Sequence, residues 1–253
     1  MLDFGAVYTG RTLVFGHRGA KAYAPMNTLP AFELALKQGA DGIELDVHRS
    51  ADGYAVICHD YTVDTTSNGS GRVTDKTLAE LKALDAGSWF SPEFVGVQIP
   101  TLDEVFEAVG QSLYVNVEIK SEDTETTDGV EQVVADCIVR HNMQDRVIVS
   151  SFNPFTLLRF SAIAPHIAIG YLYISGVPDE LRQVMDRTVY EAYHPYFKEI
   201  TPEMVQAEHA AGRVLNTWTV NAVEDALALR KMGVDCVITD NPDLIVKAFA
   251  EQA

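Results

Sequence analysis

The sequence predicts the α/β class, and within it a (β/α)8 TIM barrel with an insertion after the second barrel strand. Three observations carry this. Short apolar runs alternate with helical segments so that eight strands are each followed by a helix, the count such a barrel requires. The 253 residues suit one barrel. The apolar runs also end repeatedly in ionisable groups, and a barrel gathers its chemistry at the C-terminal ends of its strands.

Leu13–Gly16 reads as the first strand and ends at His17-Arg18-Gly19. Asn27-Thr28 opens a helix to about Gln38, with Pro30 in its first turn and Gly39 at its end. In the second strand, Gly42–His48, the apolar Ile43, Leu45 and Val47 alternate with Glu44, Asp46 and His48. A period of two puts Glu44 and Asp46 on one face, about 7 Å apart. Ala51-Asp52-Gly53 is a turn, and Tyr54–His59 follows too closely for a crossover helix, so the two strands form an antiparallel hairpin. With Asp52-Gly53 at the tip, Val47 lies roughly opposite Cys58 and His59 roughly opposite Asp46.

The rhythm breaks over residues 61–100. Thr65–Gly71 is loop, Leu78–Leu84 a short helix, and Trp89-Phe90 with Pro92 and Pro100 irregular structure laid across one barrel face. Alternation resumes with strands expected at Leu113–Ile119, Val147–Ser151, Ile167–Leu172, Val189–Tyr193, Val214–Thr219 and Val234–Thr239. Helices are expected near 102–109, 128–140, 154–164, 178–186, 202–211, 223–232 and 242–250. No linker or repeat divides the chain, which is read as a single domain over 1–253 with an insertion at about 50–110.

Composition narrows the partners. A net charge of −17 argues against nucleic acid, whose phosphates need basic patches. An anionic substrate would be held by a few placed cations or a metal. Cys58, Cys137 and Cys236 show no CxxC spacing and sit in apolar runs, as core thiols do in a reducing compartment. The N-terminus lacks the pattern of a signal peptide, and no stretch approaches 18 apolar residues. A cytoplasmic protein is expected, with no stable membrane insertion.

The chemistry concentrates at the strand ends. Glu44, Asp46 and Glu118 form a three-carboxylate set of hard oxygen donors suited to one divalent cation, Mg²⁺ or Ca²⁺, with Mn²⁺ also admitted. No HxH or HExxH motif points to zinc. Lys120 shares a strand face with Glu118, so it either neutralises that carboxylate or joins Arg18 in gripping a phosphate. His17 and His59 converge on the same rim and can divide the work of general base and general acid, or else ligate the metal or support it. Trp218 either packs a neighbouring loop or walls the pocket. His194, at a strand end, is a secondary candidate, and Asp240 is read as the cap of the last helix.

Gly16-His17-Arg18-Gly19, Glu44-Leu45-Asp46-Val47, His59-Asp60, Glu118-Ile119-Lys120, Trp218-Thr219-Val220-Asn221 and Thr239-Asp240-Asn241-Pro242, in this order, resemble the glycerophosphodiester phosphodiesterase family of bacterial cytoplasmic type. The resemblance spans almost the whole chain. It implies a (β/α)8 barrel with an insertion after the second strand. It further implies metal binding by Glu44, Asp46 and Glu118, acid/base roles for His17 and His59, phosphate contacts from Arg18 and Lys120, and a substrate pocket lined by Trp218. The implied reaction is metal-dependent hydrolysis of a small-molecule glycerophosphodiester to sn-glycerol 3-phosphate and an alcohol. One departure stands out: the family usually has Pro-Glu-Asn-Thr after the first strand, and here Met26 replaces the glutamate.

Three alternatives stay open on sequence. A related enzyme could act on a lysophospholipid or a phosphosugar diester. A barrel aldolase could use Lys120 as a Schiff base, which would leave the carboxylates and His59 without a role. A non-catalytic barrel could bind a phosphodiester without cleaving it.

Overall fold

In the computed structural model, which describes residues 7, 8, 10–122 and 126–252, eight parallel strands close into a barrel. They are β1 Leu13–His17, β2 Gly42–Arg49, β4 Tyr114–Ile119, β5 Val147–Ser151, β6 Ala168–Tyr173, β7 Ala192–Pro195, β8 Val214–Thr217 and β9 Cys236–Thr239. Closure is made at β1, which pairs with β2 on one side and β9 on the other. The three-residue β3, Ala55–Ile57, lies antiparallel on the outer reach of β2.

Strand alternation divides the barrel into two cores. Ile43, Leu45 and Val47 of β2, with Val115, Val117 and Ile119 of β4, face outward against the helices. Their neighbours in sequence face the barrel interior. The interior floor is apolar, built from Ile148, Ala168, Ala192 and Val214 beside Leu13, Phe15, Cys236 and Ile238. Polar residues stand above it, so burial of the floor holds the strand ends in fixed register under the site.

The helices follow the sequence signals closely. Pro30 sits in the first turn of the helix Leu29–Lys37, and Pro154, Pro202 and Pro242 open three others, where a missing N–H costs nothing. Thr77 and Thr101 form capping boxes with Glu80 and Glu104 at the starts of Leu78–Lys82 and Leu102–Val109. Among the described residues, no helix is long and apolar enough to cross a membrane. All three cysteines are buried and unpaired.

Two local expectations are corrected. The seventh strand runs Ala192–Pro195 rather than Val189–Tyr193, because its pairing to β6 starts at Ala192 and Val189 is left 84% exposed. The hairpin register is one residue tighter than expected. Val47 pairs with Ile57, and the Cys58 N–H donates to the Asp46 carbonyl at 3.0 Å. The turn spans Ser50–Gly53, where Gly53 takes φ +94° and its N–H closes on the Ser50 carbonyl at 3.0 Å.

Between β2 and the helix Leu102–Val109, the chain is held by its own small apolar cluster. Val56, Cys58, Val63, Val73, Leu81, Ala86 and Ile99 form it. This packing fixes the segment that carries His59.

Candidate active site

Register brings the carboxylates together. His17 lies beside Glu44 across the β1–β2 pair, and Asp46 lies beside Glu118 across β2–β4. Because Glu44 and Asp46 are two residues apart and Glu118 is the partner of Asp46, three carboxylates project to one side. One oxygen from each lies within 4.8 Å of the others, and all three side chains are buried.

Two cations sit among them. Lys120 Nζ is 2.6 Å from Glu118 Oε1 and 2.8 Å from Asp46 Oδ1. Arg18 Nε is 3.3 Å from Asp46 Oδ2, and the Arg18 backbone N–H donates to Glu44 Oε2 at 3.1 Å. Of the two expectations for Lys120, neutralising Glu118 or joining Arg18 in gripping a phosphate, the ion pairs show the first, and the same ammonium also spans Asp46. Asp46 is covered by Arg18, Lys120 and Asn27, whose amide donates to Oδ2 at 2.8 Å.

Three negative charges against two positive ones leave the cluster short of neutral. Burial, then the Asp46 and Glu118 charges, push the Glu44 carboxyl well above its ordinary range. Glu118 is raised mainly by burial, against the pull of Lys120. Burial also opposes the charge on Asp46, but Lys120 and Arg18 outweigh it and hold that carboxyl below its usual value. A further cation is therefore the natural complement. The oxygen-only donor set fits a hard divalent ion, with Glu44 as the carboxylate least satisfied by protein groups.

Both histidines are held by a carboxylate. His17 Nδ1 lies 2.6 Å from Asp240 Oδ1, while its Nε2 stands 3.9 Å from Glu44. His59 Nδ1 lies 2.7 Å from Asp60 Oδ1, and Asp60 is itself braced by the Thr65 hydroxyl. In each, the second nitrogen is left for other work. Burial lowers both imidazoles from their ordinary value, against the raising effect of the carboxylate partners.

The loop after β1 is shaped for this task. Arg18 and Asn27 adopt left-handed φ of 54° and 59°, and Gly19 follows at 82°. A Cβ on Gly19 would stand 2.6 Å from the Ala31 carbonyl carbon, so only glycine fits. Met26 faces the guanidinium with its Sδ 3.3 Å from an Arg18 terminal nitrogen.

His17, Arg18, Glu44, His59, Glu118 and Lys120 line one pocket of about 110 Å³. Its other wall is apolar: Phe152, Leu172, Trp218 and Ile238. Trp218 is held by packing and also lines the pocket. Its indole N–H donates to the His194 carbonyl at 2.8 Å, its ring packs edge-on to Phe152, and it faces the pocket.

Every residue singled out for the site except His194 is gathered here. His194 is fully buried inside the barrel, bonded to Asn216 through Nε2 at 3.0 Å. Three partners were not legible as such. Asp240 holds His17 instead of capping the last helix, whose N-cap is Asn241. Asn27 bridges to Asp46, and Thr28 takes the N-cap position. Phe152 ends an apolar run that carried no distinguishing signal. A second group, Asp103, Cys137 and His141, also lies within 4.8 Å, but there Arg140 and His141 already occupy the Asp103 carboxylate.

A family model described as glycerophosphoryl diester phosphodiesterase matches residues 17–244. The chain belongs to that family. As a member it is an enzyme, a phosphodiesterase. It is 44% identical over 237 residues to a glycerophosphodiester phosphodiesterase of Caldanaerobacter subterraneus subsp. tengcongensis, covering 93% of this chain and 97% of that one. It is 39% identical over 246 residues to a glycerophosphodiester phosphodiesterase of Bacillus altitudinis, covering 95% and 99%. Its fold matches a phosphodiesterase of Oleispira antarctica solved in complex with the product sn-glycerol-3-phosphate. The TM-score is 0.85 at 34% identity, over 96% of this chain and 99% of that chain.

Proposed function

We propose that this barrel hydrolyses glycerophosphodiesters to sn-glycerol 3-phosphate and an alcohol, with a divalent cation and two histidines. The observation that carries the reading is the meeting of three buried carboxylates, two cations and two carboxylate-held imidazoles on one pocket. The product named for the Oleispira relative is the compound this reaction releases.

Glu44, Asp46 and Glu118 would hold Mg²⁺, Ca²⁺ or Mn²⁺. When bound, such an ion supplies Lewis-acid polarisation of the phosphoryl oxygens. Arg18 and Lys120 add fixed positive charge where the phosphoryl group gains negative charge. One imidazole takes the proton from the attacking oxygen, either of water, which gives glycerol 3-phosphate directly, or of the neighbouring glycerol hydroxyl, which gives a cyclic phosphate that water then opens to glycerol 3-phosphate. The other returns a proton to the oxygen of the departing alcohol, so the leaving group departs neutral. Asp240 and Asp60 fix the rings so that the free nitrogen of each faces the pocket. Phe152 and Trp218 shield the far side from water and take the carbon skeleton of the substrate.

Met26 gives Arg18 a thioether neighbour in place of a carboxylate. Arg18 thus has Asp46 as its carboxylate neighbour and a thioether on the other side, and preference among diesters is where this position acts. The buried free thiols fit a reducing, cytoplasmic setting. The reading is tested by measuring glycerol 3-phosphate release from glycerophosphocholine with metal-stripped protein, then with Mg²⁺, Ca²⁺ and Mn²⁺ restored in turn. Release that returns with the ion supports it. Equal release without any ion overturns the metal dependence, and no release with any ion overturns this substrate.

A further inference from the structure

Asn116 stands on β4 two residues before Glu118, so the two side chains share the face turned into the barrel, while Val115 and Val117 pack outward. Across the ladders it is the partner of Glu44 on β2 and of Ile148 on β5. Asn116 therefore sits at the boundary of two layers. Beside it is the group of buried carboxylates, and on its other side begins the apolar floor to which Ile148 belongs.

The residue is 2% exposed, it borders the cavity that His17, Glu44 and Lys120 line, and its Oδ1 has no hydrogen-bond partner among the described residues. A carboxamide carries one acceptor and two donors, and leaving a buried one unpaired is unfavourable. Leucine has nearly the same shape and would extend the apolar floor without that cost. The amide is thus a group with a bond still to make, and the cavity it borders is the place for the partner.

The other groups around the cavity are taken up by their own chemistry. The carboxylates are drawn to cations, Arg18 and Lys120 to a phosphate, and the two imidazoles to proton transfer. Trp218 donates its indole N–H to the His194 carbonyl, and the rest of that wall is apolar. Among the described residues of the lining, Asn116 alone is a polar, non-ionisable group with hydrogen-bonding capacity left over. The glycerol unit of a glycerophosphodiester presents hydroxyls, each both donor and acceptor. An amide complements such a group through either its oxygen or its nitrogen.

We propose that Asn116 determines specificity for the glycerol unit: its carboxamide hydrogen-bonds a glycerol hydroxyl at the floor of the pocket. The inference rests on the glycerophosphodiester reading given above. A site built around a hydroxyl rejects the analogue that lacks it, because the protein's own polar group is then left buried and unpaired.

The experiment measures binding of sn-glycerol 3-phosphate and of n-propyl phosphate, which has the same carbon chain and no hydroxyl, by calorimetry in the presence of Mg²⁺. It compares the parent with Asn116→Leu, and follows Mg²⁺ affinity, thermal unfolding and glycerol 3-phosphate release from glycerophosphocholine alongside. The parent should prefer glycerol 3-phosphate by about tenfold or more. N116L should bind it about tenfold more weakly, with affinities for n-propyl phosphate and Mg²⁺ within about twofold of the parent. A parent without the preference, or a variant that keeps it, overturns the inference. So does a variant in which both phosphates or Mg²⁺ weaken together, because the amide then serves the cation or the fold. If the parent still releases glycerol 3-phosphate in those cases, the proposed function stands and this inference alone falls. A parent that binds neither compound and shows no release overturns the reading of the site, and this inference with it. Asn116→Ala, for which the same loss of preference is expected, keeps the test decisive if N116L does not fold.

Discussion

His17 and Asp240 meet at 2.6 Å across the seam where the last barrel strand returns to the first. The contact joins residues 223 positions apart, and it exists because Gly16 pairs with Thr239 in the β1–β9 ladder. Asp240 also takes the Asn221 amide at 3.0 Å and lies 3.6 Å from Lys21. Asp240→Ala should therefore lower kcat by about 10²-fold or more, within the range general acid–base groups contribute, with little change in melting temperature. A kcat within twofold of the parent would show that His17 needs no such partner.

His17→Ala and His59→Ala should each reduce turnover by about 10²–10⁴-fold. Neither side chain lies in an apolar core cluster, so circular dichroism and thermal unfolding should stay near those of the parent. Near-normal rates in either variant would remove that residue from the acid/base pair.

A bound cation should be visible in stability as well as in rate. An ion at about 100 times its dissociation constant stabilises the folded state by about 2.7 kcal/mol, so Mg²⁺ or Ca²⁺ should raise the melting temperature of metal-stripped protein. Glu44→Gln should weaken this response and the calorimetric affinity together. An unchanged affinity would take Glu44 out of the ligand set.

His194 should make the fold acid-sensitive. Burial lowers its pKa to about 3, against about 6.5 for an unperturbed histidine. Between those values the unfolded chain binds a proton that the folded one refuses, so stability is full above about pH 6.5 and falls as pH drops towards 3. This one group contributes a slope of up to about 1.4 kcal/mol per pH unit. Denaturant unfolding at pH 6, 5 and 4 should show a shallower slope for His194→Asn. Parallel slopes in the two proteins would contradict the assignment.

Gly19→Ala should damage both fold and activity. The added Cβ meets the Ala31 backbone, and φ of +82° is itself unfavourable for alanine. A loss of about 2 kcal/mol or more is expected from overpacking and backbone strain together. It should be accompanied by weaker turnover, because the same loop places His17 and Arg18. Unfolding free energies and kcat measured on one preparation check both.

Much of this protein is legible in its sequence because the signals are local. Alternation in Gly42–Val47 fixes that Glu44 and Asp46 share a face, and Thr101 with Glu104 marks a helix start without reference to anything distant. The β/α rhythm counts out eight barrel strands, and the strand ends collect His17, Glu118 and Lys120 as expected. Pairing across the barrel carries no such local mark. That Asp46 neighbours Glu118, that Lys120 spans both, and that Asp240 serves His17 follow from register and closure. The same holds for the hairpin, where a register one residue tighter than the turn suggested leaves His59 outside the ladder, its ring held by Asp60. Side-chain period depends on a residue's immediate neighbours. Which strands meet, and at which residue, depends on burying the whole barrel at once, and only the tertiary structure decides that.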